Sequence, residues 1–156
     1  MPTPAFVLHL REKVGHDLLP LVGVVAVVLD EDQRVLLTRR RDTERWALIG
    51  GIVEPGEQPA VAAVREVLEE TGVEAEIDRL STVVGEGPRQ YPNGDRVQFL
   101  TLQFVLRRVS GDAYVADDEN LDVAWFALDD RPGLSDTDEA RLARAFADPP
   151  PPQYET

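Results

Sequence analysis

Residues 50–73 read GGIVEPGEQPAVAAVREVLEETGV, and no other stretch restricts the chain so closely. A glycine pair and a Glu-Pro-Gly turn lead into a helix that the spacing predicts over about 58–71, with Gly72 in the position favoured for a left-handed cap. At about 100° per residue, Glu69 and Glu70 fall within about 60° of Glu66 on either side, as do Pro59, Ala62 and Ala63. Ala60, Val61, Val64, Val67 and Leu68 lie on the other side. The expectation is an apolar face for the core and a face of carboxylates bordered by very small side chains.

Such crowding is unfavourable in isolation, because like charges at i,i+3 and i,i+4 repel by roughly a few tenths of a kcal/mol. A cation among them would reverse the sign. Ligation by oxygen alone suits a hard divalent ion, Mg²⁺ or Mn²⁺, and Mg²⁺ commonly shares its ligands with substrate phosphates. Gly51 and Gly56 permit a compact loop that brings Glu57 and the first helical turn toward such an ion. Free N–H groups at the start of the helix also favour an anion. Arg65, about 100° from Glu66, is placed to orient a neighbouring carboxylate, Glu57, by a bidentate pair. The competing reading of three Glu at helical spacing is a solvated acidic face.

The remaining composition narrows the chemistry. The 156-residue chain holds no Cys and only two His, His9 and His16, so thiolate sites are excluded and the chemistry falls to carboxylates. A formal net charge of −13 leaves no Lys/Arg surplus for a nucleic-acid polymer. A small anionic ligand remains compatible when a cation mediates its binding. No apolar run approaches the roughly 20 residues of a membrane span, and MPTPAFVLHLREK lacks the layout of a signal peptide, so a cytoplasmic address without membrane partners is expected.

Along the chain, residues 5–18 show loose helical spacing, and LVGVVAVVLD at 21–30 reads as a buried strand. A turn at 30–33 and a second apolar run make residues 21–40 a hairpin whose far end, Arg39-Arg40-Arg41, is the most basic spot. Strands are expected over 74–86, 96–109 and 121–128, with Asn93-Gly94 as a turn signal. A helix follows over 135–147 with Ser135 as its N-cap. The organisation is therefore an N-terminal helical extension (1–19), one α/β domain (20–147) and a proline-rich tail (148–156) expected to be extended or disordered.

The fixed positions in the opening stretch are Gly51, five residues, Glu57, seven residues, Arg65-Glu66-Val67, one residue, Glu69-Glu70, one residue, Gly72-Val73. This resembles the complete Nudix box of the Nudix hydrolases. The resemblance implies the Nudix fold, an α/β/α sandwich around a mixed β-sheet. It also implies metal-assisted attack of water on the phosphoanhydride of a nucleoside diphosphate linked to another group. By position, Glu69 and Glu70 become metal ligands, Glu66 a ligand or the general base, Glu57 a support for the metal shell, and Gly51 and Arg65 shapers of the loop. Family members that act on oxidised guanine nucleotides place a metal-binding Glu six residues before a Trp, as Glu119 stands before Trp125; Asp117-Asp118-Glu119 also reads as a plain polar turn. The chain departs from the common pattern at Ile49, where a proline is usual before the glycine pair.

Markers of substrate outside the box are sparse. Tyr91 stands 18 residues after the box, where branches that split diadenosine polyphosphates carry a Tyr, and it could instead stack on a base or pack within a turn. Pro88 stands one short of the Pro found in ADP-ribose branches. Arg39 and Arg40 are candidate phosphate contacts, with solvated charge as the alternative. The rival functional readings are a catalytically silent nucleotide-sensing module and a small cation-binding protein. Since family members often pair, a homodimer formed through the N-terminal segment is a further expectation.

Overall fold

The structure, a computed structural model, describes residues 3–147 and the backbone of residues 153 and 154. Strand β1 (Leu19–Leu29) is buried from Gly23 onward on both faces, as its Val-rich sequence requires. Strand β7 (Arg96–Ser110) runs parallel to it, from Leu19 against Val97 to Leu29 against Arg107. Strand β5 (Glu74–Gly85) pairs antiparallel with β7, and the short β6 (Arg89–Gln90) folds back on the same strand. Most of the expected tail lies outside the described residues; Gln153–Tyr154, strand β9, pairs parallel with β5.

On its other edge β1 meets β2 (Val35–Arg40), but the expected hairpin closes at one registered pair, Leu29 with Val35. The physical reason is competition for the edge. Strand β4 (Ile49–Ile52) takes the β1 positions from Gly23 to Ala26, and β2 turns instead to β8 (Asn120–Phe126) and to the two-residue β3 (Trp46–Ala47).

Alternation along β1 sends Val24, Ala26 and Val28 to one face and Val25, Val27 and Leu29 to the other. The first set packs on helix α2 (Pro59–Thr71), through Ala62, Ala63 and Val67. The second packs on helix α3 (Asp136–Ala145), through Leu142 and Ala145. One helix on each face of a mixed sheet makes an α/β/α sandwich. Helix α1 (Ala5–Val14) sits at one end of the sheet, where Val7 packs on Leu21 and Val97. Among the described residues no helix is long and apolar enough to cross a membrane.

Helix α2 is turned differently from the face expected on its wheel. Val61 and Leu68, assigned to the core, are 58% and 47% exposed, while Glu66 and Glu70 are only 5% and 9% exposed. Ala62 and Ala63 let the helix approach the sheet closely, and Gly51 of β4 leaves room for the Glu66 carboxylate between them. Gly72 caps the helix in the left-handed region at φ 70°, its N–H donating to the Leu68 carbonyl. At the start of α3, Ser135 Oγ accepts from the Asp138 N–H at 3.1 Å. Ser135→Ala is expected to lower stability by about 1 kcal/mol, seen as a fall of a few degrees in Tm. An unchanged melting curve would show that Asp138 N–H finds another acceptor.

Candidate active site

Gly51 pairs with Val24 in the sheet and looks onto α2. A Cβ added there would lie 1.9 Å from Glu66 Oε1 and 2.0 Å from its Cδ. Glycine is needed at this position for space, and the space holds the Glu66 carboxylate. Arg65 then ties the surrounding acids together. Its Nε and Nη2 donate to Glu57 Oε1 and Oε2 at 2.8 and 3.0 Å, the bidentate geometry expected from the spacing. Its Nη1 donates to Glu66 Oε1 at 2.9 Å and to Glu69 Oε2 at 3.0 Å. Glu57 also accepts the Glu54 N–H at 3.1 Å. The Arg65 guanidinium holds the Glu57 carboxyl below the ordinary carboxylate range.

Glu66 and Glu70 behave in the opposite way. Burial raises the pKa of Glu66, with Arg65 opposing it. Burial likewise pushes Glu70 up to about 7, against a hydrogen bond from Asn120 and with the charges of Glu66 and Asp117 adding to the rise. Asn120 Nδ2 donates to Glu70 Oε2 and to Asp117 Oδ1, both at 3.1 Å. Asp117 Oδ1 also accepts the N–H groups of Glu119 and Asn120, so an Asx turn shapes this loop beside α2. Sequence reasoning had no grounds to choose Asp117 or Asn120; an Asn next to an acidic turn is a weak signal until Glu70 is placed against it.

A cavity of about 670 Å³ opens over these groups, lined by Glu66, Glu69, Glu70 and Glu119 together with Asp117 and Asp118. Among the described residues no three of the acids are drawn into a ligating cluster as they stand, since Arg65 engages Glu57, Glu66 and Glu69. The donor set nevertheless fits a hard divalent cation: it is all oxygen, and two of its carboxylates are buried.

The pKa of Glu70 has a measurable consequence. Folded, it keeps its proton up to about pH 7, whereas the unfolded chain releases it near 4.5. The folded state therefore binds more protons across that window, and this group's contribution to stability falls as pH rises through it. With cations chelated, the loss is expected to reach roughly 3 kcal/mol. Denaturant melts of wild type and Glu70→Gln at pH 5 and pH 8 check this. The variant should gain relative to wild type at the higher pH, and an equal difference at both would remove Glu70 as the source.

A second cavity, of about 600 Å³, lies on the α3 side of the sheet and includes Gly51 in its lining. Leu21, Val97, Phe99 and Thr101 line it from the sheet, and Tyr91 and Arg40 line it together with Asp42, Glu86 and Asp95. Arg40 grips Asp42 through Nε at 2.9 Å and Nη2 at 2.8 Å. Arg141 of α3 donates to Glu86 Oε1 at 2.5 Å, and Arg89 donates to the other Glu86 oxygen. The arrangement brings Tyr91 and Arg40 together but not Arg39, which lines neither cavity and donates to the Glu44 carbonyl at 3.2 Å. Arg41 is turned to the acidic loop, donating to the Asp118 carbonyl at 2.8 Å.

The chain matches the family model described as the NUDIX domain over residues 19–148. A MutT-like protein of Streptomyces ambofaciens is 37% identical over 109 residues, covering 70% of this chain and 65% of that protein. The first curated relatives are thus matched over 30–65% of their own lengths. Among solved structures, a MutT NUDIX hydrolase from Burkholderia pseudomallei superposes with a TM-score of 0.65 at 30% identity, over 81% of this chain and 98% of that one. A UDP-X diphosphatase superposes with a TM-score of 0.66 at 25% identity, over 96% of this chain and 73% of that one. With the model spanning most of the chain and the box residues gathered around one carboxylate-lined cavity, the chain belongs to the Nudix hydrolase family.

Proposed function

We propose that the protein is a divalent-metal-dependent pyrophosphohydrolase acting on a nucleoside diphosphate linked to another group. The observation that supports it most is the pairing of the two cavities: one lined mainly by carboxylates, the other by a tyrosine and by arginines paired with acids, with Gly51 lining the second and abutting Glu66 of the first. In this reading Glu69, Glu70 and Glu119 hold Mg²⁺ or Mn²⁺, with Glu66 a further ligand or the general base. The ion, when bound, lowers the pKa of the attacking water and neutralises charge on the diphosphate.

The chain's own groups supply the rest. Arg65 Nη1 occupies Glu66 Oε1, which leaves Oε2 either to face the ion or, as general base, to receive the proton of the attacking water. Glu57 holds Arg65 in place and thereby fixes the direction of Glu66. Asn120 keeps Glu70 turned inward. In the second cavity Tyr91 offers a ring face to a nucleobase, and Arg40, already neutralised in part by Asp42, stands within reach of a phosphate.

A hydrolysis panel tests the reading: ADP-ribose, nucleotide sugars, dinucleoside polyphosphates, ordinary and oxidised nucleoside triphosphates, each with Mg²⁺ and with Mn²⁺. Turnover that is lost on adding chelator is the expected result. Silence across the panel with nucleotide binding retained would replace the hydrolase reading by the sensing module.

A further inference from the structure

Residues 3–14 precede the stretch matched by the family model, which begins at residue 19, yet they form part of the site's walls. Thr3, Pro4 and Ile52 border both the acidic cavity and the one that holds Tyr91. A substrate with its diphosphate at Glu66 and its base near Tyr91 has to cross this border. The width of the crossing is set on one side by the sheet, through Ile52, and on the other by the start of α1.

That start is held firmly. Val7 is 4% exposed and packs on Leu21 and Val97. Arg11, whose side chain is only 11% exposed, donates from Nη1 to the Gly15 and Asp17 carbonyls at 3.0 and 2.6 Å and from Nη2 to the Arg96 carbonyl at 2.6 Å. Its Nε lies 3.5 Å from Asp95 Oδ1, which also meets His16 Nδ1 at 2.9 Å. Asp95 closes the turn that carries Tyr91, its carbonyl accepting the Tyr91 N–H at 2.9 Å. Helix α1 and the Tyr91 turn are therefore clamped as one wall. Surface anchoring alone would not require the helix to begin at the boundary between two cavities.

We infer that α1 is a specificity element of the site, with Thr3 and Pro4 setting the bulk of the group that can pass between the two cavities. The inference rests on the hydrolase reading above. Thr3 is exposed and outside the core, so Thr3→Trp narrows the crossing without disturbing packing. Bulk changes in a binding pocket alter discrimination by about tenfold or more. In Thr3→Trp, kcat/KM for purine-bearing substrates is expected to fall about tenfold further than for their pyrimidine counterparts, because the base is the group that crosses. Arg11→Met, which releases the clamp, should shift the same ratio the other way; if that variant fails to fold, Thr3→Trp alone decides.

A substrate ranking unchanged in Thr3→Trp would overturn the inference and leave α1 a structural cover. A wild-type protein silent over the panel would instead sink the hydrolase reading and this inference with it, so the two failures are separable.

Discussion

Glu66→Gln is expected to lower turnover by roughly 10²-fold or more with metal saturating, because an amide neither accepts the water's proton nor carries the charge that would bind a cation. The substitution isolates chemistry from packing. Gln matches Glu in shape, so it fits the gap that Gly51 leaves and still accepts from Arg65 Nη1. Removing a buried charge also relieves desolvation, so the folded protein should melt no lower than wild type when cations are chelated. The measurement is kcat for both proteins on the best substrate of the panel, with thermal melts alongside. Near-full activity in a well-folded variant would take Glu66 out of the mechanism.

Gly51→Ala should reach a similar loss without touching a chemical group. Its Cβ would meet Glu66 Oε1 at 1.9 Å, Cδ at 2.0 Å and Cγ at 2.5 Å, so the carboxylate has to swing away. Gly51 does not sit in the left-handed region, and alanine there brings no backbone strain. Overpacking of this kind typically costs about 1–3 kcal/mol, and the flexible Glu66 side chain lets the structure relax toward the lower end. Catalysis is less tolerant, since misplacing a reacting group by about 1 Å can cost roughly 10²-fold. The double variant with Glu66→Gln should be little worse than either alone, as expected of two changes to one unit. Additive losses would mean that Gly51 acts elsewhere than through Glu66.

How much of this was legible in the sequence depends on separation along the chain. The Arg65–Glu57 pair spans eight residues and the Ser135 cap three, and a helix start with the short loop before it is enough to bring such groups together. The Asn120–Glu70 bond spans 50 residues and Arg141–Glu86 spans 55, and no local pattern reports them. Arg39 and Arg40 are adjacent and chemically alike; a bulge between them in the β2–β8 pairing and the partners they find separate their roles.

The amino-acid sequence by itself determined that α2 would form and where it would end, that its acids would share a face, and that the β1 region would be buried. These are short-range matters of periodicity, capping and side-chain character. Only the tertiary structure decided which face of α2 turns inward. The wheel assigned Val61 and Leu68 to the core, but close approach of Ala62 and Ala63 to the sheet and the missing Cβ of Gly51 drew in Glu66 and Glu70 instead. The physical reason is that a helix's rotation is set by the surface it packs against, and the sheet that forms that surface is assembled from residues distant in the chain.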